Sequence, residues 1–149
     1  MIDTEGHDNI PIIKYDGPQP RYQTMGSAGA DVTASEDVWI PKGSWALVPT
    51  GLSMEIPRGY ECQIRSRSGL AAKDGIFVLN GIGTIDSDYR GEIKVILANM
   101  GKSDFLVEKG ARVAQLVFAS VAGVVFQKCN QIDFSGSSRG KSGFGSTGA

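Results

Sequence analysis

Hydrophobic and polar residues along this chain fall into short runs, each closed by glycine or proline. Apolar stretches rich in Val, Ile, Leu and aromatics occupy 45–48, 52–56, 76–79, 93–99 and 112–120. Between them stand Pro41-Lys42-Gly43, Pro57-Arg58-Gly59, Lys73-Asp74-Gly75, Met100-Gly101-Lys102 and Glu108-Lys109-Gly110. Glycine admits the positive φ of tight turns and proline presets φ at a turn's second residue, so these sites predict chain reversals. Within 92–98, Ile93, Val95 and Leu97 alternate with Lys94 on the opposite side, the two-residue period of a strand buried on one face. Strands spaced by such turns predict an all-β chain, a distorted jelly roll or β-barrel. No segment keeps a 3.6-residue period through three turns. Only 68–73 predicts a helix, of one or two turns.

Length and composition add the scale. A chain of 149 residues with 41% hydrophobic and 21% charged residues is globular and makes a single domain spanning 1–149. The ends differ from the middle. Residues 1–10 are polar and predicted loose. Residues 135–149 are Gly, Ser and Thr apart from Arg139, Lys141, Phe144 and Ala149. Such a composition suits a flexible C-terminal arm. Arg139 and Phe144 equally suit a flap, because a linker has no use for a cation beside a flat apolar ring.

Charge and rare residues narrow the chemistry. A net charge of −1 leaves no global basic field to hold a nucleic acid duplex, and no nucleic-acid partner is expected. No apolar run approaches the roughly 18 residues of a membrane helix, so no membrane association is expected. The N-terminal stretch lacks the charged and apolar regions of a secretory signal. A soluble intracellular protein is the expectation, cytoplasmic in the first instance, with nucleus or organelle left open. Cys62 and Cys129 show no metal-ligand spacing; they form either a disulfide or, the commoner arrangement, two buried free thiols. His7 is the single histidine, which removes Ser-His-Asp, Cys-His and His-rich zinc chemistry from one chain.

Five segments concentrate what chemistry remains. Arg67-Ser68-Gly69-Leu70 offers backbone N–H groups, a hydroxyl and a guanidinium to an anion, and also looks like a strand end with a surface turn. From Asn80 to Gly91, three glycines flank an apolar trio that ends in Asp86, a carboxylate able to act as general base on a water. Asn80 carries an amide that pairs with both a donor and an acceptor on a nucleobase edge, and Tyr89 a flat face with a polar tip. A hairpin whose Asp and Asn satisfy turn backbone fits the same residues. Gly29-Ala30-Asp31-Val32 places a carboxylate at the head of an alternating run. Gln115 lies in the apolar segment from Arg112 to Phe118, either bonded within the core or aimed into a site. The C-terminal arm is the fifth.

In this order the five resemble the motifs of the trimeric dUTP diphosphatases, over about residues 26 to 148. Gly29 to Val32 is similar to the first motif, Arg67 to Leu70 to the second, and Gly83 to Gly91 to the third. Arg112 to Leu116 is similar to the fourth and Arg139 to Gly148 to the fifth. The resemblance implies a homotrimer of jelly-roll subunits with active sites shared between chains. It implies hydrolysis of dUTP to dUMP and diphosphate with Mg2+ on the triphosphate, which limits uracil in DNA and supplies dUMP for dTMP synthesis. By resemblance Asp86 orients the attacking water and Asn80 reads the uracil, helped by backbone groups of Thr84, Ile85, Asp86 and the region of Lys94. Tyr89 packs on the deoxyribose and excludes a 2′-hydroxyl. Arg67, Ser68, Gly69 and Gln115 contact the phosphates, and Asp31 holds the metal through a water. Phe144 stacks over the base, with Arg139, Gly145 and Ser146 near the terminal phosphates.

Three positions depart from the family pattern. Ser66 stands where proline often precedes the arginine, and is expected to loosen that turn. Ala30 replaces a Tyr or Leu. Ser142 replaces a residue that is often Gly, and strains the arm if φ is positive there. Two rivals remain: the related dCTP deaminases, which need an acid–base group at the base ring, and a nucleotide-binding module without catalysis. No spare Glu is apparent beside the second or third motif, and Asp86 is present.

Overall fold

The computed structural model describes residues 10–144. All strand pairings in it are antiparallel. A four-stranded sheet runs β2 (Ala30–Thr33), β11 (Arg112–Ser120), β6 (Tyr60–Arg65), β8 (Ile82–Ile85). A three-stranded sheet runs β4 (Trp45–Pro49), β9 (Lys94–Asn99), β7 (Ile76–Val78). Two short ladders complete the framework: β1 (Lys14–Asp16) on β5 (Ser53–Glu55), and β3 (Val38–Ile40) on β10 (Phe105–Val107). One helix, α1 (Ser68–Asp74), follows β6.

Alternation decides which face of each sheet is buried. Ile93, Val95 and Leu97 are 2%, 0% and 1% exposed while Lys94 is exposed, as the period-two pattern requires. On the other sheet Val32, Cys62, Ile64, Ile85 and Leu116 turn inward, and both inner faces contribute to one core. Burial of this kind contributes about 25 cal/mol per Å² of apolar surface removed from water. The helix ends where the sequence allows it to. Gly75 adopts φ +67°, its N–H donates to Ala71 O at 3.2 Å, and a Cβ there would come within 2.7 Å of Gly101 N. Only glycine closes α1 against the turn after β9.

Two expectations need correction. Both cysteines are free, but only Cys62 is buried; Cys129 is exposed, because the chain has left the body before it arrives there. Val121 N–H donates to Gly59 O at 2.8 Å, and every described residue from 121 to 144 except Gly143 is exposed. The departure from the body thus begins well before the Gly/Ser-rich stretch. Apolar Val–Val–Phe at 124–126 finds no cover among the described residues; Val125 and Phe126 are each 94% exposed. The expectation for residues 1–10 lies, Ile10 apart, outside the described residues.

Candidate active site

The segment after β7 folds back over β6 to make a pocket. Asn80 follows β7, Gly81 takes φ +77°, and β8 pairs with β6 in the register Arg65↔Ile82 through Cys62↔Ile85. Gly83 permits the close approach, since a Cβ there would meet Ile64 Cβ at 3.1 Å and Asn80 Nδ2 at 3.4 Å. Asn80, Thr84, Ile85, Asp86, Tyr89 and Lys94 all line the resulting cavity of about 200 Å³. Ile85 is buried and the other five are exposed. Among the described residues no hydrogen bond or ion pair engages the Asp86 carboxylate, so it is available to solvent or ligand. Its backbone O accepts the Tyr89 N–H at 3.2 Å, which shapes the turn.

A second cluster gathers on the other strands of the same sheet. Asp31 Oδ2 accepts from Arg112 Nη1 at 2.9 Å, and Oδ1 stands 3.7 Å from Arg67 Nε. Arg67 Nη1 also donates to Arg112 O at 2.8 Å. Gln115 Nε2 donates to Ser66 O at 3.0 Å; a Cβ on Gly29 would sit 2.4 Å from Gln115 Oε1, so the bare glycine makes room for that amide. Ser68 and Gly69 open α1 directly after Arg67. The arginine that sequence reasoning overlooked is Arg112, whose signal was a cation at the head of an apolar strand. Ser66 does not loosen its turn: its hydroxyl accepts the Val78 N–H at 2.8 Å and its carbonyl accepts Gln115, so it stitches β6 to β7 and β11.

The two clusters are not contiguous on one chain. Asp31, Gln115, Arg65 and Ile82 form one row across the four strands. Asp86 lies four residues farther along from Ile82, about 13 Å at strand spacing. Arg139 and Phe144 line neither place. Arg139 Nε donates to Ser142 O at 2.8 Å, and Phe144 stands fully exposed with φ +51°. Ser142 carries no positive φ; the strain anticipated there falls on Phe144 instead. Gly145 and Ser146 lie outside the described residues.

Glu92, directly after the third motif, also lines the pocket, but it is not spare. Both its oxygens face protein donors, Oε1 the Gly51 N–H at 3.0 Å and Oε2 Lys94 Nζ at 3.8 Å. The sequence shows Glu92 directly after Gly91 but not its Gly51 partner, 41 positions away. For a metal, the described residues hold no group of three or more His, Cys, Asp or Glu. A hydrated Mg2+ keeps its waters and needs few protein ligands; Asp31, the carboxylate expected to hold it through water, is 12% exposed and faces Arg112 at 2.9 Å and Arg67 at 3.7 Å. No helix of the described residues is long and apolar enough to cross a membrane.

With this geometry in place, three comparisons bear on it. The family model described as dUTPase matches residues 16–148. The deoxyuridine 5′-triphosphate nucleotidohydrolase of Chlamydia muridarum (strain MoPn / Nigg) is 56% identical over 131 residues, covering 87% of this chain and 90% of that protein. The nucleotidohydrolase of the same name from Anaplasma marginale (strain St. Maries) is 52% identical over 136 residues, covering 90% and 91%. Among solved structures, the dUTPase of Staphylococcus bacteriophage 80alpha with dUPNHPP superposes with a TM-score of 0.85 at 24% identity, covering 93% of this chain and 99% of that one. A mutant dUTPase from phage phi11 of S. aureus, described as revealing the coordination of a structural Mg(II) ion, gives 0.74 at 18% identity, covering 80% and 97%. The fold is jelly-roll-like.

Proposed function

The chain belongs to the dUTPase family and is a dUTP diphosphatase, and from that premise we propose how its own residues carry the reaction. Water attacks the α-phosphorus of dUTP, Asp86 takes the water's proton as the new P–O bond forms, and diphosphate leaves from dUMP. The observation that carries this reading is the shared pocket of Asn80, Asp86 and Tyr89, with the carboxylate uncommitted to any described protein group. A positioned general base contributes about 10²–10⁴ in rate, and the rest comes from orientation and charge neutralisation.

Asn80 pairs with the uracil edge, backbone groups of Thr84, Ile85, Asp86 and the neighbourhood of Lys94 complete that reading, and the Tyr89 ring packs against the deoxyribose. Arg67, Ser68, Gly69 and Gln115 take the phosphates. When bound on the triphosphate, Mg2+ supplies charge neutralisation, and Asp31 is the residue to orient one of its waters. Residues 135–149 close as a flap, Phe144 over the base and Arg139, Gly145 and Ser146 at the terminal phosphates. Ordering each flap residue costs roughly 1–2 kcal/mol of backbone entropy, which charge-assisted bonds and ring stacking offset.

The working unit is a homotrimer with sites shared between chains. Three observations support it: the separation of Asp86 from the Asp31–Arg67–Arg112 cluster, the unpartnered apolar arm, and the outer face of the three-stranded sheet. There Trp45, Leu47 and Leu79 are 57%, 52% and 43% exposed, an apolar patch of the kind that marks interaction sites. Hydrolysis in ¹⁸O-labelled water tests the chemistry. The label is expected in dUMP; label in diphosphate means attack at the β-phosphorus and sinks the reading. A parallel panel of dUTP, UTP, dTTP and dCTP should show dUTP turned over far faster than the other three.

A further inference from the structure

The turn at residues 50–52 clasps residues 92 and 93 at three points. Gly51 N–H donates to Glu92 Oε1 at 3.0 Å, and Ile93 N–H donates to Leu52 O at 2.8 Å. The buried Thr50 hydroxyl donates to Ile93 O at 2.6 Å. This clasp fixes the far end of the loop that begins at Asp86. From that end the Glu92 carbonyl accepts the Tyr89 hydroxyl at 2.9 Å. Gly91 closes the other side of the ring. A Cβ there would lie 2.5 Å from Tyr89 Oη and 2.8 Å from Cζ. Gly91 has no positive φ, so the backbone would accept alanine; the phenol ring is what excludes it. The ring therefore lies on bare glycine backbone and hangs from residue 92 by its hydroxyl.

We propose that Glu92 and Gly91 are positioning residues for Tyr89, and through its ring set the selection of deoxyribose over ribose. The inference rests on the reading of Tyr89 as the sugar's neighbour. A steric gate rejects a hydroxyl only as firmly as it is held in place, because a ring free to retreat by about an ångström admits the larger sugar. Glu92 stands at the edge of the pocket with its oxygens facing Gly51 and Lys94, and its hold on the ring runs through its own carbonyl. The side chain anchors residue 92 and the carbonyl of residue 92 anchors the ring.

The test is the ratio of kcat/KM for dUTP to that for UTP, measured on full-length enzyme carrying Glu92→Ala, Glu92→Gln, Gly91→Ala or Tyr89→Ala. Glu92→Ala and Gly91→Ala should each lower the ratio by about tenfold or more, as expected where a pocket stops rejecting one added hydroxyl. Glu92→Gln keeps an oxygen for the Gly51 N–H and should hold the ratio within about threefold. An equal loss on both substrates in the first two variants would assign them a merely structural role and overturn the inference. If Glu92→Ala fails to fold, Gly91→Ala decides alone, since it leaves the clasp intact. A ratio that moves with Tyr89→Ala but not with Gly91→Ala sinks the inference and leaves the role of Tyr89 standing. A ratio unmoved by Tyr89→Ala overturns both.

Discussion

Cys62 sits on β6 with its side chain in the core, where burial first and the charge of Glu61 second push its thiol up from 9.0 to about 12. The neutral thiol is what the fold accommodates. Because the folded value lies above the unfolded one, its contribution to stability is complete below pH 9 and fades as pH rises toward 12. The loss reaches up to about 4 kcal/mol at full ionisation. Urea midpoints across that range should fall more steeply for the parent than for Cys62→Ala. A thiol reagent at pH 8 should titrate one group per native chain, Cys129, and two after unfolding. At this scale the sequence singled out Asp86, Asn80 and Tyr89 in one segment, and the structure lines one pocket with all three. It was silent where meaning depends on a distant partner. Ser66 reads as a missing proline until the Val78 N–H is seen on its hydroxyl, and Glu92 reads as surface charge until Gly51 is seen on its carboxylate.

Strands and turns followed from alternation and glycine placement with few surprises. The 93–99 pattern became β9 with Ile93, Val95 and Leu97 inward, and the 68–73 segment became α1, closed one residue later by Gly75. The three-residue strands β1, β3 and β10 carry too few positions for a period to register. Gly75 offers a test at this scale. Gly75→Ala meets both an unfavourable φ and the backbone of Gly101, so unfolding free energy should drop by about 1–3 kcal/mol, read from urea denaturation. A drop below a few tenths of that would mean the turn after β9 shifts freely, and that α1 is not fastened there. The same helix begins with Ser68 and Gly69 beside Arg67, so its closure bears on that cluster as well as on stability.

The whole molecule raises a question that one chain leaves open, since Asp86 stands apart from the Asp31–Arg67–Arg112 cluster along the same sheet. If neighbours share sites, Asp86→Asn and Arg67→Ala chains, each inactive alone, should regain turnover when unfolded together and refolded as mixed trimers. Sedimentation should give three times the mass of 15.8 kDa. Deleting 139–149 should leave that mass per assembly almost unchanged while removing most activity; a truncated enzyme at full rate would reduce the arm to a linker. The central claim, however, is that one carboxylate readies the water. Its most direct test is the single-turnover rate of assembled Asp86→Asn, with dUTP affinity measured separately. The account predicts binding within a few-fold of the parent and a chemical step slowed by about a hundredfold or more. Parental turnover in that variant would contradict it.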